Sequence, residues 1–207
     1  TRFGFWLVRM ALLLRLPIFG IVKSTIFKLF CGGETIDECA HRIESLARYN
    51  IKTILDYSAE GKEVEEDFDA AAEQIIAIID RASGDPDIPF AVFKCTGLGR
   101  FALLTKLNLR VDLTPEETRE YERFRGRVER ICAHARDKAV PVFIDAEESW
   151  IQGAIDDLAE AMMVEHNRER ALIYNTIQLY RTDRLDYLHR AHRRAVEGSY
   201  FLGVKLV

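Results

Sequence analysis

From residue 51 to the end of the chain, five short apolar runs alternate with segments that repeat apolar residues at helical spacing. The runs are Ile51 to Tyr57, Phe90 to Phe93, Val140 to Ile144, Ala171 to Ile177 and Phe201 to Val207. A continuous apolar run of this length predicts a strand buried on both faces. Strands that alternate with long helices predict parallel βα units. Each run also closes on polar residues. The clearest case is Val142-Phe143-Ile144-Asp145-Ala146-Glu147-Glu148-Ser149, where an apolar strand stops in three acids. Alternation along it puts Phe143, Asp145 and Glu147 on one face and Ile144, Ala146 and Glu148 on the other.

The helical segments carry their own signals. Thr35 and Glu38 have capping-box spacing and predict a helix to about Tyr49. Val64, Phe68, Ala71, Ala72, Ile75, Ile76 and Ile79 keep helical spacing over about Glu63 to Arg81. Thr114-Pro115-Glu116-Glu117 combines a cap, a first-position proline and a third-position acid, and predicts a helix to about Lys138. Further helices are expected over Ser149 to about Val164 and Asp183 to about Glu197, the last closed by Gly198. A short one should follow the turn Thr96-Gly97-Leu98-Gly99.

The chain has 207 residues. An eight-unit barrel takes about 250, so roughly three units would lie elsewhere. The expected architecture is therefore α/β: a partial (β/α)8 TIM-type barrel with about five parallel strands, preceded by N-terminal helices. Residues 1–50 form the helical segment and 51–207 the incomplete barrel. A five-stranded doubly wound sheet is the alternative. No G-x-G-x-x-G follows a strand, and Ala102 stands where the third glycine after Gly97 and Gly99 would fall, which rejects a dinucleotide fingerprint.

Composition excludes other classes. A net charge of −4 leaves no basic footprint for nucleic acid. Cys31, Cys39, Cys95 and Cys132 are scattered without a C-x-x-C pair, against a zinc site or a disulfide scaffold and in keeping with a reducing compartment. His189 and His192 sit in an arginine-rich helix and read as a solvated face. No metal site is expected. Residues 1–30 are very apolar, but Arg9, Arg15, Lys23 and Pro17 interrupt what would need about 20 uncharged residues to span a bilayer. Two amphipathic helices that cover a core or touch a membrane surface fit better. A start at Thr1 and a stop inside an apolar run read as a piece cut at both ends.

The polar residues at strand ends are Asp56, Lys94, Asp145, Glu147, Gln178, Tyr180 and Lys205. A single lysine in such a place is usually a snorkelling surface group. All five strands closing this way at one end predicts a shared mouth, where α/β enzymes place their chemistry. Lys94 and Asp145, on adjacent strands, are expected to form a buried pair that keeps both charged, with the cation available to a substrate carboxylate.

Six ordered motifs carry a resemblance. They are Phe30-Cys31-Gly32-Gly33-Glu34-Thr35 with Glu38-Cys39; Ile54-Leu55-Asp56-Tyr57-Ser58-Ala59-Glu60-Gly61; Phe93-Lys94-Cys95-Thr96-Gly97-Leu98-Gly99-Arg100; Phe143-Ile144-Asp145-Ala146-Glu147-Glu148-Ser149-Trp150-Ile151-Gln152; Tyr174-Asn175-Thr176-Ile177-Gln178-Leu179-Tyr180-Arg181; and Gly203-Val204-Lys205-Leu206-Val207. From about residue 20 onward the chain resembles proline dehydrogenases. The resemblance implies an FAD enzyme on a distorted (β/α)8 barrel that oxidises L-proline to Δ1-pyrroline-5-carboxylate, with hydride passing to the flavin and electrons to a quinone-type acceptor. It also implies roles. Lys94 would pair with the substrate carboxylate, Asp145 would organise the pocket, backbone at Ala146 would approach the flavin, and Gln178 would hydrogen-bond its ring. Lys205 would lie near its reacting edge, where many members carry arginine, which has a planar fork that lysine lacks. Family members continue beyond Lys-Leu-Val with a cofactor-phosphate segment and a late arginine pair for the carboxylate, so these residues alone are expected not to turn over proline.

Two other functions stay open: a Schiff-base barrel enzyme using Lys94 as nucleophile with Asp145 as proton shuttle, and a non-catalytic module that binds partners through open strand edges and its apolar amino end. For the flavoenzyme, the resemblance implies a cytoplasmic protein in contact with a membrane surface, or a mitochondrial matrix protein in a eukaryote.

Overall fold

The computed structural model describes Thr25, Phe27, residues 31–57 and residues 61–207. The paired helices expected over residues 1–30 fall, those two positions aside, outside the described residues. Helix α1 (Ile36–Ala47) opens the described chain. Thr35 Oγ1 accepts from Glu38 N at 3.2 Å, as a capping residue should. The return bond lands one residue early, with Glu34 N donating to Glu38 Oε2 at 2.9 Å.

Four βα steps and a fifth strand follow. They are β1 (Ile54–Asp56), α2 (Glu65–Ala82), β2 (Phe90–Phe93), a 3-10 turn (Cys95–Gly97), α3 (Phe101–Asn108), α4 (Pro115–Lys138), β3 (Val142–Ile144), α5 (Gln152–His166), β4 (Ile173–Ile177), α6 (Arg184–Glu197) and β5 (Val204–Leu206). The strands lie side by side in chain order, all parallel. Most strands are shorter than the apolar runs, because residues such as Val140 and Leu172 pack as connections before the ladder begins.

The two sheet faces are sorted by parity. Ala91, Phe93, Val142, Ile144 and Ile173 enter the main core with Phe124, Val128 and Ile131 of α4, Ala72, Ile75 and Ile79 of α2, and Ile155, Ala159 and Met162 of α5. Phe143 and Tyr174 take the other face, where Phe90 stacks on Phe143 at 4.2 Å and Tyr174 meets both rings edge-on at 5.5 and 5.6 Å. This ring cluster floors the inner side of the arc.

Helix α4 begins with a complete capping box between Thr114 and Glu117. In Thr96-Gly97-Leu98-Gly99, Gly99 serves packing: a Cβ on it would lie 2.7 Å from the Phe124 ring. Gly203 is required for a similar reason, since a Cβ there would sit 2.3 Å from the Ile173 carbonyl oxygen. That close approach lets β5 dock onto β4.

Candidate active site at the carboxyl ends of the strands

Asp145 is the first residue past β3, and its N–H still bonds to Phe93 O at 2.9 Å. The extended backbone therefore continues, and parity holds Asp145 on the face of Phe143. Its Oδ1 accepts from Thr176 Oγ1 of β4 at 3.1 Å and is paired with Lys205 Nζ of β5. Thr176 and Lys205 are register partners, so one carboxylate oxygen ties three strand ends together. The Lys205 ammonium also lies 5.1 Å from the centre of the Phe143 ring, within cation–π range.

This corrects one expectation. The cation on Asp145 is Lys205, two strands away, and not Lys94 on the adjacent strand. Lys94 instead acts on Glu147, where its charge favours the carboxylate. Burial pushes the Glu147 carboxyl above its ordinary range, opposed by hydrogen bonds from Thr96 and by Lys94. Thr96 N donates to Glu147 Oε1 at 3.1 Å, and Thr96 Oγ1 holds the second oxygen. The Glu147 backbone is held as well: its N–H donates to Gln152 Oε1 at 2.9 Å, and its carbonyl accepts from Gln178 Nε2 at 3.0 Å.

Lys94, Ala146, Glu147, Glu148 and Gln178 line a cleft of about 260 Å³. Gln178 Oε1 is buried there without a hydrogen-bond partner. A buried acceptor left unsatisfied is costly, and such an atom marks a place where a donor is expected. Its orientation is determined, because Glu147 O can only accept and so takes the NH₂ side of the amide.

Of the residues singled out in the sequence, Lys94, Ala146 and Gln178 share the cleft, and Asp145 and Lys205 form the adjoining ion pair. Tyr180 is 74% exposed and Asp56 is exposed; neither lines the cleft. Sequence reasoning missed Thr96 and Thr176 as anchors of the two acids. Thr176 shares the parity of Gln178, a signal that could have placed it. It also missed a buried set behind the sheet, Gln152, Asp156, Asn175 and Arg184: Gln152 and Asp156 share one helix face at four-residue spacing, but Asn175 and Arg184 join them from later elements.

Away from the strand ends, Glu129, Glu165 and His166 bring ligand-type atoms within 4.8 Å of one another. Arg136 can only donate to His166 Nδ1, so Nε2 carries the hydrogen that faces Glu129 at 3.1 Å. The ring reads as a hydrogen-bonded bridge between α4 and α5.

A family model described as proline dehydrogenase matches residues 39–207. The chain belongs to the proline dehydrogenase family. Among relatives of this proline dehydrogenase homologue, the carbapenem antibiotics biosynthesis protein CarD of Pectobacterium carotovorum subsp. carotovorum is 35% identical over 188 residues, covering 91% of this chain and 50% of its own. The mitochondrial proline dehydrogenase 1 of Dictyostelium discoideum is 30% identical over 230 residues, covering 92% of this chain and 40% of its own. The chain thus spans about half the length of the curated relatives it matches, or somewhat less. In three dimensions it resembles proline utilization A from Bdellovibrio bacteriovorus, with a TM-score of 0.73 at 16% identity, over 91% of this chain and 21% of that one. The arc of five strands is part of a TIM-type barrel.

Proposed function

We propose that these residues form one wall of a proline-oxidising site, and that the whole protein converts L-proline to Δ1-pyrroline-5-carboxylate with FAD and a quinone-type acceptor. The observation that carries this reading is the unpartnered Gln178 Oε1 beside Lys94 in one cleft. An oxidised isoalloxazine ring presents one N–H donor, at N3 on its pyrimidine edge, which suits that acceptor. The donor set fits the group: Gln178 for the ring, backbone at Ala146 beside it, and Lys205 as a cation close by. FAD, when bound, supplies the two-electron acceptor for the hydride leaving the proline ring.

The remaining tasks belong to the protein. Lys94 offers a half-buried ammonium to the substrate carboxylate, and its charge favours the carboxylate form of Glu147 beside it. Asp145 aims the Lys205 ammonium by sharing it with the Phe143 ring. A cation so placed favours negative charge on a reduced ring. Thr96 and Thr176 fix the orientations of the two acids. Relatives named as mitochondrial, among them those of D. discoideum and Arabidopsis thaliana, support a mitochondrial location in a eukaryotic host. No helix among the described residues is long and apolar enough to cross a membrane, and contact with a quinone-bearing membrane would be peripheral.

The whole protein, titrated with FAD, should develop a bound-flavin spectrum that bleaches anaerobically with L-proline. Gln178→Leu should weaken the flavin, and Lys94→Met should raise the proline requirement. Failure of the whole protein to retain flavin would overturn the reading. Borohydride trapping of a carbonyl substrate on Lys94 would replace it with Schiff-base chemistry.

A further inference from the structure

On the helix side of the sheet lies a polar set that the proposed chemistry does not use. Gln152, Asp156, Asn175 and Arg184 are 1%, 3%, 1% and 6% exposed. Asp156 Oδ1 accepts from Gln152 Nε2 and Asn175 Nδ2, both at 2.9 Å. Arg184 donates to Asp156 Oδ2 through Nη1 at 2.8 Å and Nη2 at 2.9 Å. Burial pushes the Asp156 carboxyl above its ordinary range, against the pull of these partners. Apolar residues of the same volume would often stabilise such a layer as well or better. The set therefore invites a role besides stability.

That role is visible at the other end of Gln152. Its Oε1 accepts the Glu147 N–H at 2.9 Å, and the carbonyl of the same residue accepts from Gln178 Nε2 at 3.0 Å. An unbroken run of hydrogen bonds thus leads from Arg184 on α6, through Asp156 and Gln152 on α5, to the side-chain amide of Gln178, a residue that lines the cleft.

We infer that Gln152, held by Asp156 and Arg184, is a positioning residue that sets the Glu147 backbone and through it the direction of the Gln178 amide. This rests on the proposed reading that Gln178 meets the flavin ring. With Nε2 committed to Glu147 O, the position of the buried, unpartnered Oε1 is fixed. Without Gln152 the Glu147 backbone can tilt, and both ends of the amide lose definition. Thr96 still holds the Glu147 carboxylate, so the segment stays in place and only its orientation relaxes.

The test uses Gln152→Met, which keeps the shape and removes both hydrogen bonds, in the full chain at a temperature where both proteins are folded. Two readouts need no cofactor: hydrogen exchange at the Glu147 amide and at the Gln178 side-chain amide. Both should quicken about tenfold or more, the scale of one lost buried hydrogen bond, while the Asn175 amide of β4 stays as protected as before. FAD affinity should fall about tenfold in parallel. Unchanged exchange at either amide overturns the inference, and so does quickened exchange with unaltered flavin affinity. If the parent protein binds no FAD, the functional reading falls, and the two exchange measurements alone decide whether Gln152 aims Gln178. Should Gln152→Met not fold, Arg184→Lys keeps the charge beside Asp156 but loses the two-pronged contact, and is read the same way with smaller changes.

Discussion

Lys205 and Asp145 separate function from stability at the level of single residues. Their side chains are 29% and 22% exposed, so water screens the pair. Ion pairs in such settings contribute about 1 kcal/mol or less. Lys205→Met should therefore lower folding stability by about 1 kcal/mol at most, measured by denaturant unfolding. The same change should move the reduction potential of bound flavin to more negative values, because a cation no longer stabilises the reduced ring; spectroelectrochemistry reads this. Lys205→Arg should preserve the potential's direction. A large stability loss in Lys205→Met with an unmoved potential would make the pair a structural tie instead. The candidate positions themselves were readable from strand-end chemistry and parity. Their partners were not: Lys205 and Thr176 reach Asp145 only because register brings three strand ends level.

Among the elements, the seam between α2 and α4 is electrostatic on its outer side. Glu65 faces Arg123 and Arg127, Glu73 faces Arg130, and Asp80 faces His134 and Lys138. Arg127 is the buried member at 5% exposure, and it also donates to Leu98 O at 3.1 Å. Hydrogen bonding from Arg123, with Arg127 behind it, lowers the Glu65 carboxyl from 4.5 to about 2. A carboxyl lowered in the folded state stabilises fully above its unfolded value, and that contribution is lost as pH falls through the folded one. Glu65→Gln should consequently melt lower than the parent at pH 6. The gap should narrow between pH 4.5 and about 2, where the parent loses the same interaction. Thermal melts across that range check it, and a gap independent of pH would assign the loss to packing. The start of α4 was fully legible in the sequence, since a capping box and a first-position proline are local signals. The partners of Arg123, Arg127 and Arg130 were not, because they lie 57 to 62 residues away.

As a whole, the described molecule is an arc with two open margins. Strands β1 and β5 each have one neighbour. Ile54 on β1 is 44% exposed and Leu206 on β5 is 53% exposed. Beside β5, Leu188, His189, His192, Arg193 and Leu202 line an apolar hollow of about 410 Å³ on the flank of α6. Unpaired parallel edges with apolar side chains template association. The 207-residue chain should therefore show concentration-dependent mass in sedimentation velocity, reduced in the double variant Ile54→Lys, Leu206→Lys. A monodisperse parent at high concentration would mean that other segments cover these edges.

The division between what composition and order announced and what folding supplied follows from the range of each force. Side-chain periodicity is local, so the order of strands and helices, the capping of α4, and the shared face of Phe143 and Asp145 were all present in the linear pattern. Register is collective. It depends on how α2, α4 and α5 pack against the whole sheet, and it decides that Asp145 meets Lys205, that Glu147 meets Thr96, and that Gln178 turns its NH₂ group to Glu147. Burial likewise appears only after packing. Arg184 and Asp156 look like ordinary surface charges in the sequence, and they become partners because the sheet and two helices exclude the water that would otherwise solvate them.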